Sequence, residues 1–401
     1  MFQFTVFAGL LFIGAGAFAH GGSGQYFIEL KAMTKFERSA IANLGFAIEE
    51  LHKDYVVVSG DAEDVHTFQN KGLLLGTSQK AVSTFSFPPE DSGFHDHHEI
   101  MAVMDEMQER HPELVKIKPI GMSVEGRIIP MAIATMNPET HSEKPGIAFT
   151  GAHHAREHLS AEVPLRHFLR FCELYEKGDE QVVRLLKTRS LYFIPLINPD
   201  GKVFDLDGDR YRAWRKNRKL FGSTYGVDLN RNYSFEWGTG GSSTNPTSDV
   251  YMGPEPFSEP ETRAVRDFFL RTTNLTSLLD YHAYGKMILY PWGHTYDSIE
   301  QQNDLQIHQT MAEQMANWNG YRPMQASDLY TASGVTIDWT YGELGLISFT
   351  FEVDPTGWGR GGFYPGDEII EQVVEKNWRP AIYMTEYADD PSRVLTEVAA
   401  D

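Results

Sequence analysis

Apolar and polar positions change rhythm several times along this chain of 401 residues, and the rhythm predicts its elements. Phe2 to Phe18 is one run, apolar or small apart from Gln3 and Thr5. Between residues 25 and 78, short apolar stretches alternate with two capped helical patterns. Tyr26 to Leu30, Ala47 to Leu51, Tyr55 to Val58 and Leu73 to Leu75 read as strands. Thr34 opens a helix through Leu44, and Asp61 opens another ending at Gly72. The order βαββαβ is the split ferredoxin-like arrangement. From Thr77 the composition turns to Ser, Thr and Pro, and Phe87-Pro88-Pro89 favours extended chain, so a linker is expected at residues 79–91. Lys80-Ala81 within it would suit a trypsin-like cut.

Beyond the linker the pattern alternates between helix and strand to about residue 388. His97 to His111 carries Ile100, Val103, Met104 and Met107 at helical spacing, and Leu159 to Tyr175, Asp304 to Trp318 and Glu368 to Tyr387 read as further helices. Val115 to Lys118, Arg127 to Ala134, Gly146 to Thr150, Leu191 to Ile197, Leu275 to Tyr281 and Ile347 to Glu352 read as strands. Asn198-Pro199-Asp200-Gly201 reads as a turn. The alternation predicts one α/β domain, residues 92–388, built on a mixed, mostly parallel sheet flanked by helices. Residues 389–401 read as a loose tail.

Composition narrows the partners. A formal charge of -20 argues against nucleic acid or an anionic membrane as the main one. The leading apolar run, with Ala17-Phe18-Ala19 before His20, fits a signal peptide of residues 1–19; a buried helix or membrane anchor is the alternative. No later run is long enough to span a bilayer. The expectation is an exported protein, secreted or periplasmic, that no longer contacts a membrane. Cys172, the one cysteine, sits among apolar helix positions and reads as a core residue without a disulfide.

The candidate chemistry concentrates in Gly151-Ala-His153-His154-Ala-Arg156-Glu157-His158, between a strand and a helix, at the rim where ligands bind in open α/β sheets. His154 and Glu157 can address one centre, and an imidazole with a carboxylate suits zinc. His153 and His158 leave the register open, and a two-ligand motif needs a distant third. His282 follows the strand Leu275 to Tyr281 and is one candidate; His294, after Tyr290-Pro-Trp-Gly, is its rival. Two histidines and one carboxylate leave a fourth coordination position open, as catalytic zinc sites do.

Further motifs occur in one order: His154-Ala-Arg156-Glu157, Asn198-Pro-Asp-Gly, Arg212-Ala-Trp-Arg215-Lys-Asn-Arg, Gly226-Val-Asp228-Leu-Asn230-Arg231-Asn232, Ser258-Glu-Pro-Glu-Thr, Tyr281-His282-Ala-Tyr284, Ile337-Asp-Trp and Phe349-Thr-Phe-Glu352. Together they resemble the zinc carboxypeptidases of the pancreatic carboxypeptidase A/B type, the M14 family, over about residues 92–388. The His₂Glu site is the one known from carboxypeptidase A. The resemblance implies a monomeric metallocarboxypeptidase, with one Zn²⁺ per chain, that removes residues from peptide and protein C-termini. His154, Glu157 and His282 would hold the zinc, and Asp228 would accept the other ring N–H of His154. Arg231 and Asn230 would bind the terminal carboxylate, Tyr330 would close over the substrate, and Arg156 and Tyr284 would contact it further from the cut bond. Glu352 would be the general base and Arg215 the group that stabilises the oxyanion. Ile337 would floor the terminal side-chain pocket and favour aromatic or aliphatic residues, whereas a shifted register would put Asp338 there. Arg212, Lys216, Arg218 and Lys219 read as a solvated basic stretch.

The chain departs from the pancreatic pattern at Ala283, where that pattern has Ser, in lacking paired cysteines, and in a glycine-rich stretch after Glu352. Two other readings stay open: a non-catalytic peptide-binding module on the same fold, and a carboxypeptidase acting on bacterial wall peptides. The leading domain is shorter than a pancreatic activation segment and shares its element order, so an inhibitory propeptide is expected by analogy.

Overall fold

The computed structural model describes residues 26–79, 91–206, 211–356 and 361–397; the expected signal peptide and residues 80–90 of the linker lie outside them. The first domain has the predicted order: β1 (Tyr26–Lys31), α1 (Lys35–Asn43), β2 (Ile48–Leu51), β3 (Tyr55–Gly60), α2 (Ala62–Asn70) and β4 (Leu74–Gln79). Thr34 and Asp61 each close a capping box at the start of their helices. The four strands form a sheet in the order β2-β3-β1-β4, and its core is Ile28, Leu30, Val56, Val58 and Phe68 with their neighbours. β4 runs on to Gln79, which pairs with Tyr26, so the polar residues from Thr77 belong to an edge strand and the change of composition there does not mark the strand's end.

The second domain opens with α3 (His97–Arg110), β5 (Val115–Met122), β6 (Ile128–Ala134), β7 (Gly146–Gly151), α4 (His158–Glu176), α5 (Glu180–Thr188), β8 (Ser190–Ile194) and α6 (Pro199–Leu206). A two-stranded ribbon, β9 (Leu220–Phe221) and β10 (Thr224–Tyr225), precedes α7 (Pro260–Arg271), β11 (Leu275–Ala283), β12 (Met287–Tyr290), α8 (Gln302–Asn319), β13 (Arg322–Gln325) and α9 (Ala326–Leu329). The chain then forms α10 (Thr336–Gly342), β14 (Ile347–Val353), α11 (Ile370–Glu386) and α12 (Val394–Glu397). Eight strands make one sheet in the order β13-β12-β14-β11-β7-β8-β6-β5. Its centre, β14-β11-β7-β8, is parallel, and antiparallel pairs join β12 to β14, β8 to β6 and β6 to β5. Apolar clusters cover both faces, which explains the near-continuous apolar runs of the central strands. Cys172 is buried in this core, where burial pushes its thiol up to about 12.

Three expectations are corrected. Asn198-Pro-Asp-Gly starts a helix and is not a free turn: Pro199 fits a first helical position, and the Asn198 side chain accepts from Gly201 N at 3.0 Å. His282 lies inside β11, which extends to Ala283. The tail is ordered through α12, anchored by the buried Val394. No helix among the described residues is long and apolar enough to cross a membrane.

Candidate active site and metal centre

β7, β11 and β14 are adjacent and parallel, so their C-terminal ends meet at one rim of the sheet. The register sets Tyr281 beside Gly151 and His282 beside Glu352. The turn after β7 therefore brings His154 and Glu157 to His282, across 125 residues of chain or more. His154 Nδ1 lies 2.6 Å from Glu157 Oε1, His282 Nδ1 3.0 Å from Glu157 Oε2, and the two Nδ1 atoms 3.1 Å apart. Burial opposes ionisation of Glu157, but the two imidazoles outweigh it and hold the carboxyl well below its usual range. Two imidazole nitrogens converging on one carboxylate, all buried, are the donor set of a His₂Glu zinc site.

The rival ligands are engaged elsewhere. His294 Nδ1 lies 2.9 Å from Asp338 Oδ2, and the same carboxylate takes Gly293 N and His294 N. Asp338 is thus turned to that loop, and Ile337 is the residue that lines the cleft. His158 meets Asp205 and Lys202. His153 meets Tyr233, Thr336 and Asp280. Asp280 escaped notice in the sequence. Its signal was a lone acid inside the apolar run Leu278-Leu279-Asp280-Tyr281.

The residues around the cluster are held from behind. Asp228 Oδ1 lies 3.1 Å from His154 Nε2 and accepts from Asn230 N at 3.0 Å. Its Oδ2 accepts from Arg215 Nε and Nη2 at 3.0 and 2.9 Å. Burial raises the Asp228 pKa, but Arg215 and His154 reverse the effect and leave it well below the ordinary value. Arg215 reaches forward as well, with Nη1 3.3 Å from His154 Nδ1. Arg231 is fixed through Nε to Gly241 O and Nη1 to Asn230 O, which leaves Nη2 without a protein partner among the described residues. The half-buried Glu352 has no hydrogen-bond partner there either, and burial followed by the nearby Glu157 charge pushes its carboxyl up to about 8. These groups share a cleft of about 420 Å³ whose apolar part includes Leu289, Ala332, Val335 and Ile337. The basic stretch is not wholly solvated: Lys216 is buried and donates to Pro246 O at 2.7 Å, and burial brings its ammonium down to about 8.

Residues 100–380 match the family described as zinc carboxypeptidase, Peptidase_M14. The chain belongs to this family. It is 32% identical over 323 residues to a zinc carboxypeptidase of Saccharothrix mutabilis subsp. capreolus, covering 78% of this chain and 74% of the relative. It is 35% identical over 288 residues to carboxypeptidase B of Astacus astacus, covering 70% and 92% respectively. The crystal structure of carboxypeptidase A from Helicoverpa armigera shares the fold, with a TM-score of 0.73 at 23% identity, over 92% of this chain and 97% of that one. As a zinc carboxypeptidase this protein is a peptide hydrolase that acts on C-termini and uses zinc.

In this carboxypeptidase the small domain lies across the cleft. Ile48, Glu49, Glu50 and Leu51 of β2 form part of its lining. Glu49 Oε2 accepts from Arg156 Nη2 at 2.7 Å with both side chains buried, and Tyr284 Oη donates to Glu50 Oε1 at 3.2 Å. Leu51 packs with Met287, Leu289, Leu329 and Tyr330. α1 grips the segment that carries Tyr330: Arg38 donates to the carbonyls of Leu329 and Asp328, and Ser39 Oγ accepts from Thr331 N at 2.8 Å.

Proposed function

We propose that this metallocarboxypeptidase releases aromatic or aliphatic residues from the C-termini of peptides and proteins, with Glu352 as general base. The observation that carries this is the register of β11 on β14, which sets a carboxylate with no hydrogen-bond partner among the described residues beside His282, at the edge of a His₂Glu cluster. When bound by His154, Glu157 and His282, zinc supplies Lewis acidity that polarises the scissile carbonyl and activates water. The chain's own groups do the rest. Glu352 takes the proton from the attacking water and returns one to the leaving amine. Arg215 donates to the oxygen on which charge builds, its other edge fixed by Asp228. Arg231 offers its free Nη2, and Asn230 its amide, to the terminal carboxylate. Ile337 and its apolar neighbours take the terminal side chain. Tyr330 and Tyr284 border the same cleft; Arg156, now buried against Glu49, would contact the peptide further along once that acid is withdrawn.

The position of β2 along the cleft supports a second element of the reading. Residues 25–78 act as an inhibitory domain tied by a linker at 79–91 to a catalytic domain at 92–388, and the precursor is an exported zymogen. Glu49 and Glu50 already occupy the partners, Arg156 and Tyr284, that a peptide substrate would need.

The deciding experiment compares wild type with Glu352→Gln. Chelation should abolish cleavage of a C-terminal Phe peptide and added zinc restore it. Glu352→Gln should bind zinc stoichiometrically yet lose about 10²–10⁴-fold in kcat. Turnover that survives Glu352→Gln would remove the proposed base. Failure on peptides ending in Phe, Lys or Glu, combined with cleavage of muropeptides, would instead point to bacterial wall substrates.

A further inference from the structure

Behind the ring of His282 lies a buried constellation that neither proton transfer nor substrate binding uses. Asp280 and His282 are two residues apart on β11 and therefore share one face of the strand. Asp280 Oδ2 lies 3.3 Å from His282 Nε2. The other oxygen, Oδ1, accepts from Thr150 Oγ1 at 2.7 Å and faces His153 Nδ1 at 3.3 Å. His153 is itself fixed, with Nε2 2.8 Å from Tyr233 Oη and 3.1 Å from Thr336 Oγ1, and its ring stacks on that of His282 at 5.4 Å between centroids. All of these side chains are buried, in a place where an unpartnered carboxylate would be costly.

We infer that Asp280, backed by His153, is a positioning residue for the metal: it takes the Nε2–H of His282 and so fixes the tautomer that presents Nδ1 to zinc. This rests on His282 being a zinc ligand, as proposed above. Elimination among the neighbours of Nε2 supports it. A ring whose Nδ1 binds a cation carries its proton on Nε2 and needs an acceptor there. Among the described residues, the other hydrogen-bonding group near that atom is Asn230 Nδ2, at 3.3 Å, which can only donate. Asp280 is thus the acceptor, and by filling that role it leaves the Asn230 amide for the substrate. His153, Asp280 and His282 also have metal-ligand spacing. A second ion there would require one imidazole to bridge two cations, which the hydrogen-bonded arrangement does not. Each zinc histidine then has its own carboxylate: Asp228, shared with Arg215, behind His154, and Asp280, shared with His153, behind His282.

The test uses the full-length zinc-loaded protein and follows metal release to a chromophoric chelator, together with the visible spectrum of the cobalt-substituted protein. Asp280→Asn should weaken zinc binding about tenfold or more and shift the cobalt bands. His153→Gln should give a smaller loss in the same direction, and the double variant should be no worse than Asp280→Asn alone. Wild-type zinc affinity and cobalt bands in Asp280→Asn would overturn the inference even if its Tm fell, because a lower Tm alone marks a packing role. Additive losses would overturn the link through His153. If Asp280→Asn does not fold, His153→Gln decides: unchanged metal release overturns the proposal. A wild-type protein that holds no zinc would instead overturn the metal site itself.

Discussion

The domain of residues 26–79 closes over side chains such as Ile28, Leu30, Val56, Val58 and Phe68, whereas the large domain buries Glu157, Asp228, Asp280 and three histidines at the rim of its sheet. Apart from Asp64, which completes the capping box of Asp61 in its own domain, the one acid that the small domain buries is Glu49, and its ion-pair partner Arg156 belongs to the other domain. The difference separates two uses of burial. Apolar burial stabilises the small domain by itself and needs no distant partner. Buried charge in the large domain is tolerable only because groups far apart in sequence meet with good geometry, and that geometry is the site.

Breaking the point where the two regimes touch should have the largest effect. Glu49→Ala removes the 2.7 Å partner of the buried Arg156 and leaves it Asp249 at 3.5 Å and the Ala213 carbonyl at 3.4 Å, which should weaken docking by about 3 kcal/mol; within its own domain Glu49 gives up one hydrogen bond, from Ser59 Oγ. Full-length Glu49→Ala should then hydrolyse a small chromogenic peptide about a hundredfold faster than wild type, approaching the rate of wild type cut between residues 80 and 90. Equal wild-type rates before and after that cut would break the comparison, because the charged contact would then restrain nothing. Next in size is Ile337→Asp, which carries buried charge into the apolar part of the cleft. The ratio of kcat/KM for C-terminal Phe over C-terminal Lys should fall by about ten- to a hundredfold. An unchanged ratio would remove Ile337 from the pocket floor.

The third effect is on stability, not turnover, and concerns acid. Burial holds His167 and His308 down to about 4, against roughly 6.5 in an unfolded chain. Between those values the unfolded chain binds more protons, so stability is full above about 6.5 and is lost as pH falls towards 4. By pH 5 the loss is about 2 kcal/mol for each histidine. The small domain buries no histidine among its described residues, and all seven tryptophans lie beyond residue 210. Tryptophan fluorescence should therefore report acid unfolding of the large domain while far-UV signal from the small one persists. Replacing His167 and His308 by Gln should flatten the pH dependence, and a slope unchanged in that double variant would assign the acid loss to other groups.

Much of this is legible in the sequence. The βαββαβ order and the caps Thr34 and Asp61 follow from local signals within about ten residues, as helix caps and period-two strands do. The strand-turn-helix context of His154 and Glu157 was equally local. β12 and β13 were missed because four residues carry too little periodicity, and β13 includes Pro323. Lys216 was misread because nothing near it in sequence announces the carbonyl of Pro246 that caps it. Asp280 shows the limit most clearly: its meaning depends on strands β7 and β11 lying side by side, a pairing that no window of sequence contains.

The strand that lines one side of the cleft, β2, is an outermost strand of its four-stranded sheet. Once cleavage freed the small domain, that border would offer its backbone amides and carbonyls to any passing strand, including its own copy in another released fragment. Glu49 and Glu50 sit on this border, so side by side two such fragments would repel each other. If the proposed zymogen is cut in its linker, the acids that meet Arg156 and Tyr284 would also keep the released piece from self-assembling.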